Sequence, residues 1–270
     1  NSITLNHQSQ PGTRCTGITT SLLNQPLFDQ VRALADKTYD YGQVQRDVVM
    51  VRPDKDHSGY FVIIDDVLTT SRDITVEWYL HGRGSLSTSV DKIPRWRCLS
   101  FIPPQWHTNE VTLAAFPLGS YEKLRSAPGN LYSQSSLLDH HSEMLVLEWT
   151  GPKRLCTILF PAKSGSGEPA MQILDPEHSV RVGDSDWVSL SEPETRRTAG
   201  PITHVSEYVI MRKRGQSFPA ILMLNGLEFQ SGSHSIVSTK PVTISLDGLR
   251  GGILNTRPDT HLEFHSPEIR

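Results

Sequence analysis

Three consecutive segments constrain this chain most: residues 46–51 (RDVVMV), 60–67 (YFVIIDDV) and 75–81 (TVEWYLH), separated by polar stretches rich in Asp, Ser and Gly. Short runs of β-branched and aromatic residues bounded by turn formers are strands. Side chains alternate along a strand, so Val76, Trp78 and Leu80 fall on one face and Thr75, Glu77, Tyr79 and His81 on the other. His81 is therefore expected to point away from the core at a strand end, beside an aromatic ring and a carboxylate. A histidine so placed is available to a ligand or a metal.

The same alternation recurs along the rest of the chain. Short runs at 1–5, 99–102, 111–116, 144–149, 155–160, 187–190, 204–211, 220–224, 227–229, 235–238, 242–246, 253–254 and 262–264 are broken by Gly, Pro, Asn and Asp. Together they make about fifteen strands at spacings of roughly 8–15 residues, the mark of an all-β fold. The expected architecture is a large two-layer antiparallel β-sandwich, like a supersandwich, with little helix. A hairpin is expected around Gly151-Pro152, and Asn225-Gly226 reads as a tight turn. Helical periodicity is confined to residues 26–36, where Leu27, Val31 and Leu34 recur at three- to four-residue steps, and to one turn at 121–125. Segments 119–141 and 164–168 read as loops. The strand pattern continues on both sides of each, so one domain spanning 1–270 is expected. Residues 60–64 are apolar at five consecutive positions, so both faces of that strand require cover, either from this chain or from another domain.

Composition narrows the function. The 270 residues carry 26 basic and 29 acidic side chains, a net charge of −3 that gives no basis for nucleic-acid binding. No apolar run approaches the roughly 20 residues that a membrane helix needs. The three cysteines, Cys15, Cys98 and Cys156, are far apart with no CxxC, against a disulfide scaffold or a cysteine zinc site. Cys156 lies in an apolar run and reads as a core residue. The chain opens inside a strand-like alternation, which suggests a fragment, a processed product or an excised domain.

No local motif announces a reaction. The eleven histidines form no HExxH, and adjacent His140 and His141 would face opposite ways on a strand. There is no GxSxG, phosphate loop or dinucleotide fingerprint. Asp36 and Asp40, and Asp65 with Asp66, are carboxylate candidates; the last two alternate faces, and strand-end carboxylates are commonly solvated. Arg95, Trp96 and Arg97 interleave base and aromatic. Guanidinium groups grip carboxylates bidentately and an indole packs on a sugar ring, which suits an acidic polysaccharide. The alternative is a strand with Trp96 inward and both arginines in water. Arg212, Lys213 and Arg214 read as a charged hairpin end.

Several of these segments resemble one family. Asn1, Ser2, Ile3, Thr4 and Leu5 are similar to the strand that opens the C-terminal sheet domain of heparinase II/III-like polysaccharide lyases. Ala35 and Asp36 with Tyr39 and Tyr41 resemble the family's next step. Arg46 to Val49, Tyr60 to Asp65, Trp78 to His81 and Ile158 to Pro161 resemble its later strands in order. The resemblance implies a β-sandwich that follows an N-terminal α/α toroid. It implies cleavage of uronic-acid-containing glycans by β-elimination, and a secreted or periplasmic location. That chemistry requires neutralising the uronate carboxylate, removing the C5 proton and protonating the leaving oxygen at C4. Catalysis would be shared with the toroid, so the isolated chain is expected to be inactive. Some members hold zinc in the sandwich through two histidines and an aspartate. Asp36 and His81 match two of these ligands, and the other histidine would immediately precede Asn1. Tyr41, or Tyr39, matches the position that lines the cleft. Two other readings remain open: a non-catalytic carbohydrate-binding or scaffold domain, and a uronyl epimerase sharing the C5 proton abstraction.

Overall fold

The computed structural model describes residues 2–9, 17–83, 85–88, 94–99, 110–128, 142–163, 167–192, 194–215, 217–248, 250–254 and 259–267. Every regular element among them is a strand, as the alternation requires. Contacts group the chain into two compact units. One comprises Asn1–Leu22 with Gln30–Glu168, the other Leu23–Asp29 with Pro169–Arg270.

The first unit contains β1 (Ser2–Leu5), most of β2 (Ile18–Asn24) and of β3 (Phe28–Tyr39), β4 (Gly42–Val51), β5 (Tyr60–Thr69) and β6 (Thr75–Arg83). It continues with β7 (Ser85–Thr88), β8 (Pro94–Leu99), β9 (Glu110–Leu118), β10 (Lys123–Pro128), β11 (Ser142–Thr150) and β12 (Lys153–Lys163). A four-stranded antiparallel sheet has the order β1-β6-β11-β10, and an eight-stranded sheet the order β2-β3-β4-β5-β12-β9-β8-β7. Trp78, Leu80, Leu145 and Leu147 of the small sheet share one buried cluster with Val44, Val67, Ala115, Leu155 and Leu159 of the large one. The two sheets thus form a sandwich closed by apolar burial. A buried polar tie crosses it: Trp78 donates its indole N–H to Asp65 Oδ2 at 2.8 Å, and Arg46 Nε donates to Asp65 Oδ1 at 2.6 Å. Asp65 is therefore paired and not solvated, and Asp66 on the other face accepts from Arg154. The apolar run of β5 is covered on both sides, with Tyr60, Val62 and Ile64 buried and Phe61 and Ile63 packed on the sandwich core.

The expected helix over residues 26–36 is instead the start of β3. The inward positions of this strand, Gln30 and Arg32, are polar, which hides the two-residue period. Both are buried because Asp47 of β4 receives them: Gln30 Nε2 donates at 2.8 Å and the Arg32 fork binds bidentately at 2.8–3.0 Å. The expected helical turn at 121–125 is also a strand, because β10 closes the open edge of β11 with Leu124 opposite Leu147. A single turn of helix could not offset the loss of that ladder. Cys156 is a buried free thiol, pushed up by its burial, as suits a core residue.

The second unit contains β13 (Met171–Asp175), β14 (Ser179–Val182), β15 (Asp186–Leu190), β16 (Arg196–Ala199) and β17 (Ile202–Val205). It continues with β18 (Tyr208–Arg214), β19 (Ser217–Ser231), β20 (His234–Asp247), β21 (Arg250–Leu254) and β22 (Leu262–His265). The order runs β13-β14-β15-β18-β19-β17-β16, and β20 pairs with β19, β21 and β22. Val209, Phe218, Ile221, Phe229, Ile236 and Ile244 centre its core. Asn225-Gly226 is not a hairpin turn. It lies inside the 15-residue β19, where the pairing with β20 shifts register between Met223 and Glu228. A Cβ at Gly226 would stand 2.3 Å from Met223 Sδ, so the glycine serves a bulge against a packed side chain. Polar groups are also sealed inside this unit. Arg212 holds Asp186 bidentately at 2.7–3.0 Å, so the run 212–214 is more than a solvated hairpin end. His204 bonds Ser206 Oγ at 2.7 Å through Nδ1 and Ser189 Oγ at 2.9 Å through Nε2. Burial pushes the imidazole down to about 4.

Candidate functional site

The outward face of the four-stranded sheet gathers a cluster of titratable side chains. β6 carries Glu77 and Tyr79 there, with Thr4 of β1 opposite Glu77 and Arg125 of β10 in line with Tyr79 across β11. Directly after β1, Leu5 and Gln8 exchange backbone hydrogen bonds, closing a tight turn at Asn6 and His7. Both residues have positive φ (52° and 60°), as a type I′ turn demands. Asn6 also ties to the start of β6: its N–H donates to Thr75 O at 2.8 Å, and its Oδ1 accepts from Thr75 N at 3.1 Å. This turn sets His7 over Glu77.

Glu77 is 4 % exposed, a burial that an ionised carboxylate tolerates only when it is well hydrogen-bonded. Thr4 Oγ1 donates to its Oε2 at 2.8 Å, His7 Nδ1 bonds the same oxygen at 3.0 Å, and Arg125 Nη2 donates to Oε1 at 2.9 Å. The Tyr79 hydroxyl also bonds it. Burial alone would raise this carboxyl, but the donors from Thr4, His7 and Tyr79 outweigh it and hold Glu77 below the usual carboxylate range. Burial, and then the bond to Glu77, push the Tyr79 hydroxyl up, so Tyr79 stays protonated at neutral pH. The His7 side chain is 69 % exposed and that of Arg125 is 44 % exposed. In the neutral imidazole, an Nδ1–H held by a carboxylate leaves Nε2 as a proton acceptor. The face therefore joins an oriented base, a guanidinium with further donors and a protonated phenol around one buried charge.

His81 lies on this face two residues beyond Tyr79, half-buried, opposite Met144 of β11. Burial lowers it from the ordinary histidine range. Its neighbour on the strand, Glu77, is engaged by His7. Tyr41 stands at the β3–β4 turn with its ring against the sandwich core, and its carbonyl accepts from Thr70 N at 2.9 Å. Tyr39 donates its hydroxyl to Ile3 O at 3.0 Å. Asp36 lies in β3, and its side chain falls outside the described residues. Among the described residues no group of three or more His, Cys, Asp or Glu side chains is placed to hold a metal ion. Arg95 of β8 is engaged, its Nε and Nη2 holding both Glu168 oxygens at 2.8–3.0 Å. The side chains of Trp96 and Arg97 lie outside the described residues.

Sequence reasoning did not single out His7, Thr4 or Arg125. The available signal was Asn6-His7, two residues that accept positive φ, directly after an alternating run. Its partner Glu77 is 70 positions away, and no local pattern reports that distance. No protein-family model matches the chain, and no curated protein matches it.

Proposed function

We propose that this chain is the β-sandwich part of a polysaccharide lyase that cleaves uronic-acid-containing glycans by β-elimination, working with an α/α toroid of the same protein outside the cytoplasm. The observation that carries the reading is the His7–Glu77 pair, a solvent-facing imidazole oriented by a buried carboxylate. Elimination from a uronate needs three functions, and this face offers one group for each. Arg125 retains donors beyond the one given to Glu77 and can neutralise the sugar carboxylate. His7 Nε2 accepts the proton from C5, and Glu77 stabilises the imidazolium that forms. Tyr79, kept protonated, donates to the departing O4 by giving up its bond to Glu77. The motifs quoted from residues 1–81 and 158–161 support the same family.

The test is an elimination assay. The chain, alone and joined to its toroid, is mixed with several uronate polymers while the ultraviolet absorbance of the unsaturated product is followed. Product from the joined protein, lost in His7→Ala, is expected. Silence with every acidic glycan would sink the reading and leave a carbohydrate-binding domain.

A further inference from the structure

The second unit holds a half-open cavity of about 390 Å³, lined by both ends of β19. Ser217 and Pro219 from the start of that strand and Ser231 from its end line the same space, although 15 extended residues would set the ends far apart. The register shifts between Met223 and Glu228 bend the strand so that its ends meet, as the edge-to-face contact of Phe218 with His234 at 5.2 Å records. The volume falls in the range of small-ligand sites, roughly 300–1,000 Å³. Trp187, Met211 and Pro219 give it an apolar wall, and serine hydroxyls give it a polar one. At the mouth, Gly232 has φ 58° with no atom within 4 Å of a Cβ position, which leaves the entrance open.

We propose that this cavity is a subsite for a single uronate sugar ring, a ligand class that rests on the acidic-glycan reading above. The charge pattern of the run 212–214 carries the assignment. Arg212 is locked on Asp186, and Arg214 Nη2 donates to Asp247 Oδ1 at 3.1 Å. Between them Lys213, exposed and lining the cavity, pairs with no carboxylate among the described residues. The ligand's carboxylate supplies that missing charge. Its C–H face packs on Trp187 and Met211, and its hydroxyls meet Ser217 and Ser231.

The experiment is a titration of the whole chain with glucuronate, galacturonate, glucose and acetate, read from the Trp187 indole N–H resonance. Both uronates should shift it saturably, and glucose and acetate should bind at least about fivefold more weakly. Lys213→Glu should weaken uronate binding about tenfold or more, while Lys213→Arg retains it. Lys213 is exposed, so neither variant threatens the fold. No shift at Trp187, or equal binding by glucose and by the Lys213→Glu protein, would overturn the subsite. Lys213-dependent uronate binding without any elimination product would remove the lyase reading and leave the subsite standing. Product formation with a silent Trp187 would do the reverse.

Discussion

Glu77 in the first unit and Asp186 in the second are equally hidden, 4 % and 2 % exposed, yet they differ in what their charge reaches. Asp186 is answered by Arg212, whose side chain is 1 % exposed, so the ion pair is sealed from solvent. Glu77 is answered by His7 and Arg125, both open to solvent. A buried carboxylate is thus a structural lock in one place and a handle on solvent-facing groups in the other. Burial of the acid does not separate the two roles; exposure of its partner does. His204 falls on the structural side, because its two ring nitrogens are both satisfied by buried serines.

The contrast predicts that Arg212→Ala gives the largest loss of stability. It leaves the buried Asp186 without its cationic partner and should cost about 3–5 kcal/mol in denaturant unfolding, leaving the first unit's chemistry intact per folded molecule. The next effect is the pH response of His204. Its folded value near 4 lies below the ordinary 6.5, so the folded unit favours the neutral ring. The stability this contributes is present above pH 6.5 and is lost as the pH falls towards 4, because the unfolded chain then takes up a proton that the folded one refuses. The loss sums to about 3 kcal/mol, and His204→Gln should flatten that slope of unfolding midpoint against pH.

His7→Ala tests the other side of the comparison. It should lower the elimination rate about 100-fold, while the melting midpoint barely moves because the side chain is exposed. Glu77→Gln should lose as much activity and also some stability. If His7→Ala instead destabilised the unit as Arg212→Ala does, Glu77 would be a lock too. The smallest effect is expected from Arg95→Gln. Its partly exposed pair with Glu168 should be worth no more than about 1 kcal/mol, and affinity for acidic glycan should change less than twofold.

The sheet-forming segments were legible wherever apolar residues occupied the inward positions. Val76, Trp78 and Leu80 of β6 alternate cleanly and pack as the period demands. The reading failed where an inward position is polar. Gln30 and Arg32 hide a strand because their partner, Asp47, sits on the next strand and not in the local pattern. It failed again at Asn225-Gly226, since the same dipeptide serves a turn or a bulge and only the pairing with β18 and β20 distinguishes them. At the candidate site, the polar face of β6 was visible, but the histidine assigned to Glu77 was not. His81 shares the strand, whereas His7 reaches the carboxylate from a turn pinned at Thr75.

The order of residues alone settled that this chain builds antiparallel sheets, because a two-residue period with frequent turn formers leaves few other ways to bury apolar surface. It also settled which face of β6 is polar. Folding decided which charges meet. Thr4, His7, Glu77 and Arg125 are brought together by strand register and one turn across three separate segments, and ion pairs depend on distances of a few ångströms that spacing along a chain does not encode.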